Sequence, residues 1–378
     1  MAPENNAAWL TAKNAHPLKV GPAPYTPPGP REIVVRNHAV AINPVDWAKQ
    51  LMGDTLMGYV KYPFILGGDI AGEVVEVGPQ MQRFRVGDRV IGCGLGLAPT
   101  VNRAAEGAFQ QYVILHEHMA APIPDETPYE QASVIPLTLT TATYGLFHAE
   151  FLGLDLPTVP ARANPNGRAV IITGGASSVG SNAVQLAVAA GYEVYSTCSP
   201  KNFEYVLGLG ATRVFDYHNT GWTEEMIEAL RGKPIYGAYT VGDGAVEACT
   251  KILQRLKKDG GEVERKIAFA GSHIPADKLK TMLGTASFLG SMIWWLGRTA
   301  VVSSITGVKA QFVDTKDIVD PESVVGRVFS EFLPRALQTK QFIPAPEARV
   351  VGRGLEAIQE AMDIQAKGVS ASKIVVTL

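Results

Sequence analysis

The stretch that most limits what this chain can fold into runs from Ala169 to Lys201. A short apolar run, Ala169-Val-Ile-Ile-Thr173, meets Gly174-Gly-Ala-Ser-Ser-Val-Gly180, and an apolar-periodic segment carries on to Gly191. A second β-rich run, Tyr192-Glu-Val-Tyr-Ser-Thr197, ends in Cys-Ser-Pro-Lys201. Strand, glycine turn, helix and strand make one βαβ unit whose first turn is the size of a diphosphate. Gly174 and Gly175 tolerate the positive φ that a sharp turn requires. Gly180 lets the helix lie close on the sheet, and the helix N-terminus favours an anion. The match to G-x-G-x-x-G is incomplete, because Ser177 stands where the middle glycine would be. Hydroxyls of Ser177 and Ser178 can donate to a pyrophosphate in partial compensation.

About 20 residues after such a turn, NAD-binding proteins place an acid on the adenosine ribose. Here Ser199, Pro200, Lys201 and Asn202 occupy that point, with no carboxylate at the strand end. A cation with flanking donors suits a 2′-phosphate, and one such charge-assisted contact contributes roughly 1.5–3 kcal/mol, about ten- to a hundredfold in affinity. Tyr217, after Val214-Phe-Asp, is read as a third contact. A solvated loop lysine and a tyrosine packed beside the adenine stay open as alternatives. The chain reads as an NADPH binder.

With 378 residues, two domains are expected. Residues up to about Ile123 read as short strands broken by Pro and Gly, with Arg31–Ile42, Asp69–Val77 and Asp88–Ile91 as strands. Helical spacing follows over Pro128–Ala132 and Thr138–Phe151. From Ala169, strands at 169–173, 192–197, 213–215, 237–241 and 266–271 alternate with helical stretches, the pattern of a parallel doubly wound sheet. Residues 321–340 read as an amphipathic helix, and 348–352 and 373–378 as strands flanking a helix over 355–367. The tail is expected to fold back on the first domain, leaving a crevice between the two.

A net charge of −2 offers no general attraction to nucleic acid or anionic lipid. Cys93, Cys198 and Cys249 are scattered and odd in number, which argues against a disulfide framework. The polar opening lacks a secretory apolar core, and no apolar run reaches the roughly 20 residues of a membrane span. A cytoplasmic protein is expected, with no nucleic-acid or membrane partner.

Taken together, the motifs resemble the medium-chain dehydrogenase/reductase superfamily over nearly the whole length. The carriers are Ala41-Ile-Asn-Pro-Val-Asp46, Pro63-Phe-Ile-Leu-Gly-Gly-Asp-Ile-Ala-Gly-Glu-Val74, Val86-Gly-Asp-Arg-Val90, Gly107-Ala-Phe-Gln-Gln-Tyr112 and the Gly174–Gly180 turn. Ser199-Pro-Lys-Asn-Phe203, Val214-Phe-Asp-Tyr217 and Lys373-Ile-Val-Val376 resemble its fungal enoyl-reductase and quinone-reductase-like branch. The resemblance implies an α/β fold: a GroES-like β-rich catalytic domain over 1–136, completed by 326–378, and a Rossmann domain over 137–325. It implies cofactor contacts at Val45, Asp46, Trp47 and Ala48, and at Gly175, Ala176, Ser177, Ser178, Val179 and Gly180. Further contacts are implied at Ser199–Asn202, Tyr217, Ala270, Gly271, Lys367 and Gly368. Substrate contacts are implied at Pro136, Thr138, Thr140, Thr143, Phe288 and Ile293.

One departure bears on chemistry. Zinc alcohol dehydrogenases of the superfamily carry a Cys in the segment where Asn43–Asp46 lies, and Gly-His-Glu where this chain has Gly67-Gly-Asp69. The four-cysteine structural lobe is also missing, so no zinc is expected. His116-Glu-His118 offers two imidazoles without an evident third ligand, and is read as exposed strand polarity. Without a Lewis acid, reduction of an activated alkene or a quinone is favoured over carbonyl reduction. Tyr59 and Tyr62 border the expected pocket and are the candidate proton donors, though packing roles and a proton from solvent stay open. The reading is an NADPH-dependent, zinc-independent enoyl or quinone reductase acting on a small molecule. A zinc-type alcohol dehydrogenase-like oxidoreductase and a non-catalytic NADPH sensor remain as alternatives. A homodimer or a biosynthetic partner enzyme is left open, and 288–295 reads equally as channel lining, interface or core.

Overall fold

The computed structural model describes residues 3–271, 276–279 and 281–378. The six strands Ala169–Ile172, Glu193–Cys198, Arg213–Asp216, Ile235–Val241, Lys266–Gly271 and Lys309–Phe312 form one parallel sheet. Numbered along the chain, they lie in the order 3-2-1-4-5-6, the Rossmann arrangement. The first strand, Ala-Val-Ile-Ile, is wholly buried because helices cover both faces of the sheet. Pro136–Phe147 packs with Ser178–Ala189 on one face, and Trp222–Leu230 with Ala245–Lys258 on the other.

The second sheet is mixed and draws on both ends of the chain. Its strands run Glu347–Arg353, Ser372–Thr377, Glu32–Ala41, Asp69–Val77, Arg89–Cys93 and Ala120–Pro122, with Tyr112–His116 also paired to Glu32–Ala41. The tail folds back as expected, with Val375 opposite Ala41. Asp69–Val77 approaches Glu32–Ala41 so closely that a Cβ on Gly72 would lie 2.1 Å from the Arg36 carbonyl oxygen. A third sheet joins Asn5–Leu10, Lys19–Ala23 and Phe64–Ile65. The architecture is α/β, a GroES-like β-rich part beside a Rossmann part.

Two local readings are corrected. Asn43-Pro-Val-Asp46 does break the strand, but it also starts a helix, Pro44–Met52. Proline fits the first helical turn, and the Asp46 carboxylate accepts the Asn43 N–H at 2.8 Å. The expected single helix at 321–340 is three pieces: Val324–Arg327, a π turn over Val328–Phe332, and Leu333–Gln338. Pro334 has no N–H for the Ser330 carbonyl, and the widened turn absorbs the mismatch. The 288–295 stretch lies within a helix over Met282–Thr306. Phe288 packs toward the N-terminal core and Trp295 against Phe269, while Trp294 is exposed and Ile293 is 68% exposed. Among the described residues, no helix is long and apolar enough to cross a membrane.

Candidate functional site

The turn after the first Rossmann strand is laced to its neighbours by two threonines. The Thr173 hydroxyl donates to the Val241 carbonyl and accepts the Val241 N–H, both at 3.0 Å. The Thr197 hydroxyl accepts the Gly174 N–H at 3.1 Å. Gly174 takes φ +64, the conformation expected of it. Gly175 is needed for a different reason: its φ is not positive, but a Cβ there would lie 2.3 Å from the Ser196 Oγ. A Cβ on Gly180 would lie 2.1 Å from the Gly174 carbonyl oxygen, so the helix begins tight under the turn. Ser177 caps that helix, its Oγ accepting the Gly180 N–H at 3.0 Å. Ser177, Ser178 and Val179 are half-open and Ala176 is buried. First-turn N–H groups on a glycine-cleared approach fit a diphosphate.

At the end of the second strand, Ser199 and Tyr217 come together with their hydroxyl oxygens 3.1 Å apart. Ser199 precedes the turn Pro200–Asn202, and Lys201 on it is exposed. Asn202 Nδ2 donates to Ser370 Oγ at 3.4 Å, which brings the segment after Lys367 and Gly368 to the same corner. Asp216 ends the third strand opposite Cys198, but its Oδ1 is engaged by the His218 N–H and Nδ1 at 3.0 and 2.8 Å. Ala270 and Gly271 end the fifth strand, and the Gly271 carbonyl accepts the Gly242 N–H. Gly242 and Gly244, both at positive φ with open space beside their Cα atoms, belong to this rim. Sequence reasoning missed them, although Gly-Asp-Gly after a strand was a visible signal.

The facing floor is built around Asp69. Its Oδ1 accepts the Leu137 N–H at 2.6 Å, and its Oδ2 lies 2.7 Å from Asn43 Nδ2 and 3.0 Å from Lys373 Nζ. Lys373 also donates to Asn43 Oδ1. Asp69 is fully buried and Lys373 is 4% exposed. Cys93 lies opposite Asp69 across the ladder, and burial pushes its thiol up to about 12. Burial, with a smaller push from Asp69, raises the Asp46 carboxyl to about 7. An amide, two carboxyl groups, a protonated thiol and an ammonium do not make a tetrahedral N/S zinc set.

The other expected contact residues differ in burial. Val45 is half-open, but Asp46, Trp47 and Ala48 are buried, and Trp47 Nε1 donates to Gln365. Those three underpin the helix start. Pro136, Thr138, Thr140 and Thr143 are also buried. Thr138 donates to the Ile135 carbonyl just before the helix and Thr140 to the Pro136 carbonyl, and Leu137 and Thr141 are the half-open positions of that helix. Tyr62 Oη donates to Asp54 and accepts from Lys49, both at 3.0 Å, and Tyr59 Oη donates to the Leu97 carbonyl. Burial and the Asp54 contact push Tyr62 up to about 12, and burial raises Tyr59. Neither phenol proton is free. His116-Glu-His118 is not exposed strand polarity, since Glu117 and His118 are buried where the chain turns out of the strand; His118 Nε2 is bonded to the Ile318 carbonyl, and among the described residues His116 meets other metal-type ligands.

Residues 29–125 match the family model of the alcohol dehydrogenase GroES-like domain. The chain is 47% identical over 378 residues to dehydrogenase pigH of Monascus ruber, covering all of both chains. It is 35% identical to trans-enoyl reductase himH of Aspergillus japonicus, covering 99% of this chain and 97% of that one. Among solved structures, an alcohol dehydrogenase superfamily protein from Novosphingobium aromaticivorans superposes with a TM-score of 0.71 at 24% identity, over 99% of each chain.

Proposed function

Because the chain belongs to the medium-chain dehydrogenase/reductase superfamily, we propose that it is an NADPH-dependent, zinc-independent reductase of activated double bonds or quinones. It is an oxidoreductase whose Rossmann part serves a nicotinamide dinucleotide. The observation that carries the finer reading is the Asn43–Asp69–Lys373 cluster, in which an ammonium stands among the groups a metal would need. On this reading residues 1–136 and 326–378 form the catalytic domain and 137–325 the cofactor domain.

The first-turn N–H groups after Gly174 would hold the diphosphate. Ser199, Lys201 and Tyr217 would hold a 2′-phosphate, with Asp216 turned to His218 and away from a ribose diol. When bound, the nicotinamide supplies the hydride. Val45 and Leu137, the half-open apolar side chains beside the Asp69 floor, would border the nicotinamide. Tyr59 and Tyr62 hold loops in place, so the proton comes from solvent at the cleft mouth. A relative bearing the name trans-enoyl reductase supports an enoyl thioester or enone as the substrate class. The test is loss of NADPH absorbance with enones, enoyl thioesters and quinones, on protein dialysed against chelator and shown by elemental analysis to hold no zinc. Turnover of at least one class by zinc-free protein is expected. Tight NADPH binding with no turnover of any class would overturn the reading.

A further inference from the structure

The GroES-like part holds a second cluster that the cofactor crevice does not use. Glu32 opens the strand Glu32–Ala41, His116 closes Tyr112–His116, and the two face each other directly in the ladder. Glu106 ends the short turn Ala104–Glu106 beside them. One ligand atom from each of the three lies within 4.8 Å of the others. The Glu106 side chain is 1% exposed, and its Oε2 lies 3.2 Å from His116 Nε2. Both atoms are shut off from solvent, and among the described residues neither makes a hydrogen bond. The two atoms face each other as a buried ion pair when His116 is protonated and as a pair of metal-type donors when it is not.

We infer that Glu32, Glu106 and His116 form a site for one divalent transition-metal ion of the zinc type. Imidazole and carboxylate bind zinc at about 2.0–2.2 Å, which sets neighbouring tetrahedral ligands roughly 3.3 Å apart. The His116–Glu106 separation has that size. Glu32 supplies the third donor, and its carboxylate is steadied by the Gly29 N–H at 2.8 Å, so ligand orientation is set in advance. Arg103 is the competing cation: its Nη1 lies 2.8 Å from Glu32 Oε1 and 3.5 Å from Glu106 Oε1. It offsets one of the two carboxylate charges and leaves the Glu106 Oε2 side facing His116. With three protein donors, water completes the tetrahedron.

The position gives the ion a structural task. The segment from Gly94 to Gly107 touches the Tyr59 loop twice, through the Leu97 carbonyl and through Asn102 Nδ2 on the Tyr59 carbonyl. An ion at Glu106 would fasten the end of that segment to two strands of the sheet. The donors are oxygen and nitrogen, with no thiolate, so Co2+ is a faithful spectroscopic substitute.

The full chain, dialysed against chelator, is titrated with Co2+ and with Zn2+. One equivalent of Co2+ is expected, with visible d–d bands of low-symmetry four-coordination that Zn2+ abolishes and a raised Tm in saturating Zn2+. His116→Ala and Glu106→Gln should each weaken Co2+ binding at least tenfold. His116→Asn serves as the second variant if Glu106→Gln does not fold. Absence of stoichiometric binding to the folded wild type would overturn the site, as would Co2+ binding unchanged in the folded His116 variants. Neither readout depends on reductase activity.

Discussion

The turn after Ile172 and the floor around Asp69 are joined through two helices, yet they are built from different materials. Asp69 holds the Leu137 N–H, and Thr138 one residue on takes the Asn182 amide, whose Nδ2 also reaches the Ser178 carbonyl. The turn is backbone: glycines clear space, the Gly174, Gly175, Ser177 and Gly180 N–H groups are taken up within the fold, and side chains mainly brace it. The floor is side chain: a buried ion pair and an amide brought from segments 330 residues apart. A backbone device should bend little under single polar substitutions. A buried charge device should fail sharply when one member is removed and recover when both are.

The largest effect is therefore expected at Lys373. Lys373→Met leaves Asp69 buried beside Asn43 with no cation, and breaking such a pair costs about 3–5 kcal/mol. Urea unfolding of the single variant should show that loss, and Lys373→Met with Asp69→Asn should regain most of it. A single-variant loss below about 1 kcal/mol would erase the contrast between floor and turn.

The same contrast decides what could be read from sequence. Five of the six Rossmann strands were legible to within about two residues of their ends, because runs such as Ala169–Ile172 are apolar on both faces, whereas the largely exposed edge strand Lys309–Phe312 was missed. The turn was legible because its glycines are consecutive in the chain. The floor was not, since Lys373 and Asn43 meet only after the tail folds back. The helix Pro44–Met52 was hidden by its own start: the residue before a proline reads as a break, while Asn43 and Asp46, three apart, were the available capping signal. The threonines of 136–147 carry no burial signal of their own, so the half-open positions Leu137 and Thr141 could not be separated from them.

Asp46 sharpens the comparison through pH. Its carboxyl keeps a proton to about 7 when folded and releases it near 3.8 when unfolded. The folded state therefore binds the extra proton between those values, and stability falls as pH rises through that window, by about 4 kcal/mol in all. His118, lowered to about 4 mainly by burial, works the other way, losing stability as pH falls below 6.5. Subtracting Asp46→Asn from wild type isolates the first effect. The stability difference between the two should change by about 3 kcal/mol from pH 5 to pH 8. A flat difference would mean that the floor is wet.

Cofactor selection comes next in size. Lys201→Ala should weaken NADPH about ten- to a hundredfold and NADH by less than about threefold, measured by fluorescence titration. Tyr217→Phe, which removes the partner of Ser199, should move NADPH in the same direction by less. Equal weakening of both dinucleotides would return Lys201 to the solvated surface.

Ser177→Ala is the smallest and the most pointed test of the turn. The Ser177 Oγ accepts the Gly180 N–H, and losing such a cap costs about 1 kcal/mol. If its hydroxyl serves only the helix, the variant unfolds at lower urea while its dinucleotide affinity changes by less than about threefold. Ser177→Gly should recover most of the stability, because glycine is tolerated at a cap. A tenfold loss of affinity at unchanged stability would instead mean that the hydroxyl hydrogen reaches the diphosphate. The turn would then depend on a side chain as the floor does, and the serine in place of the middle glycine would be a working substitute for the missing backbone approach.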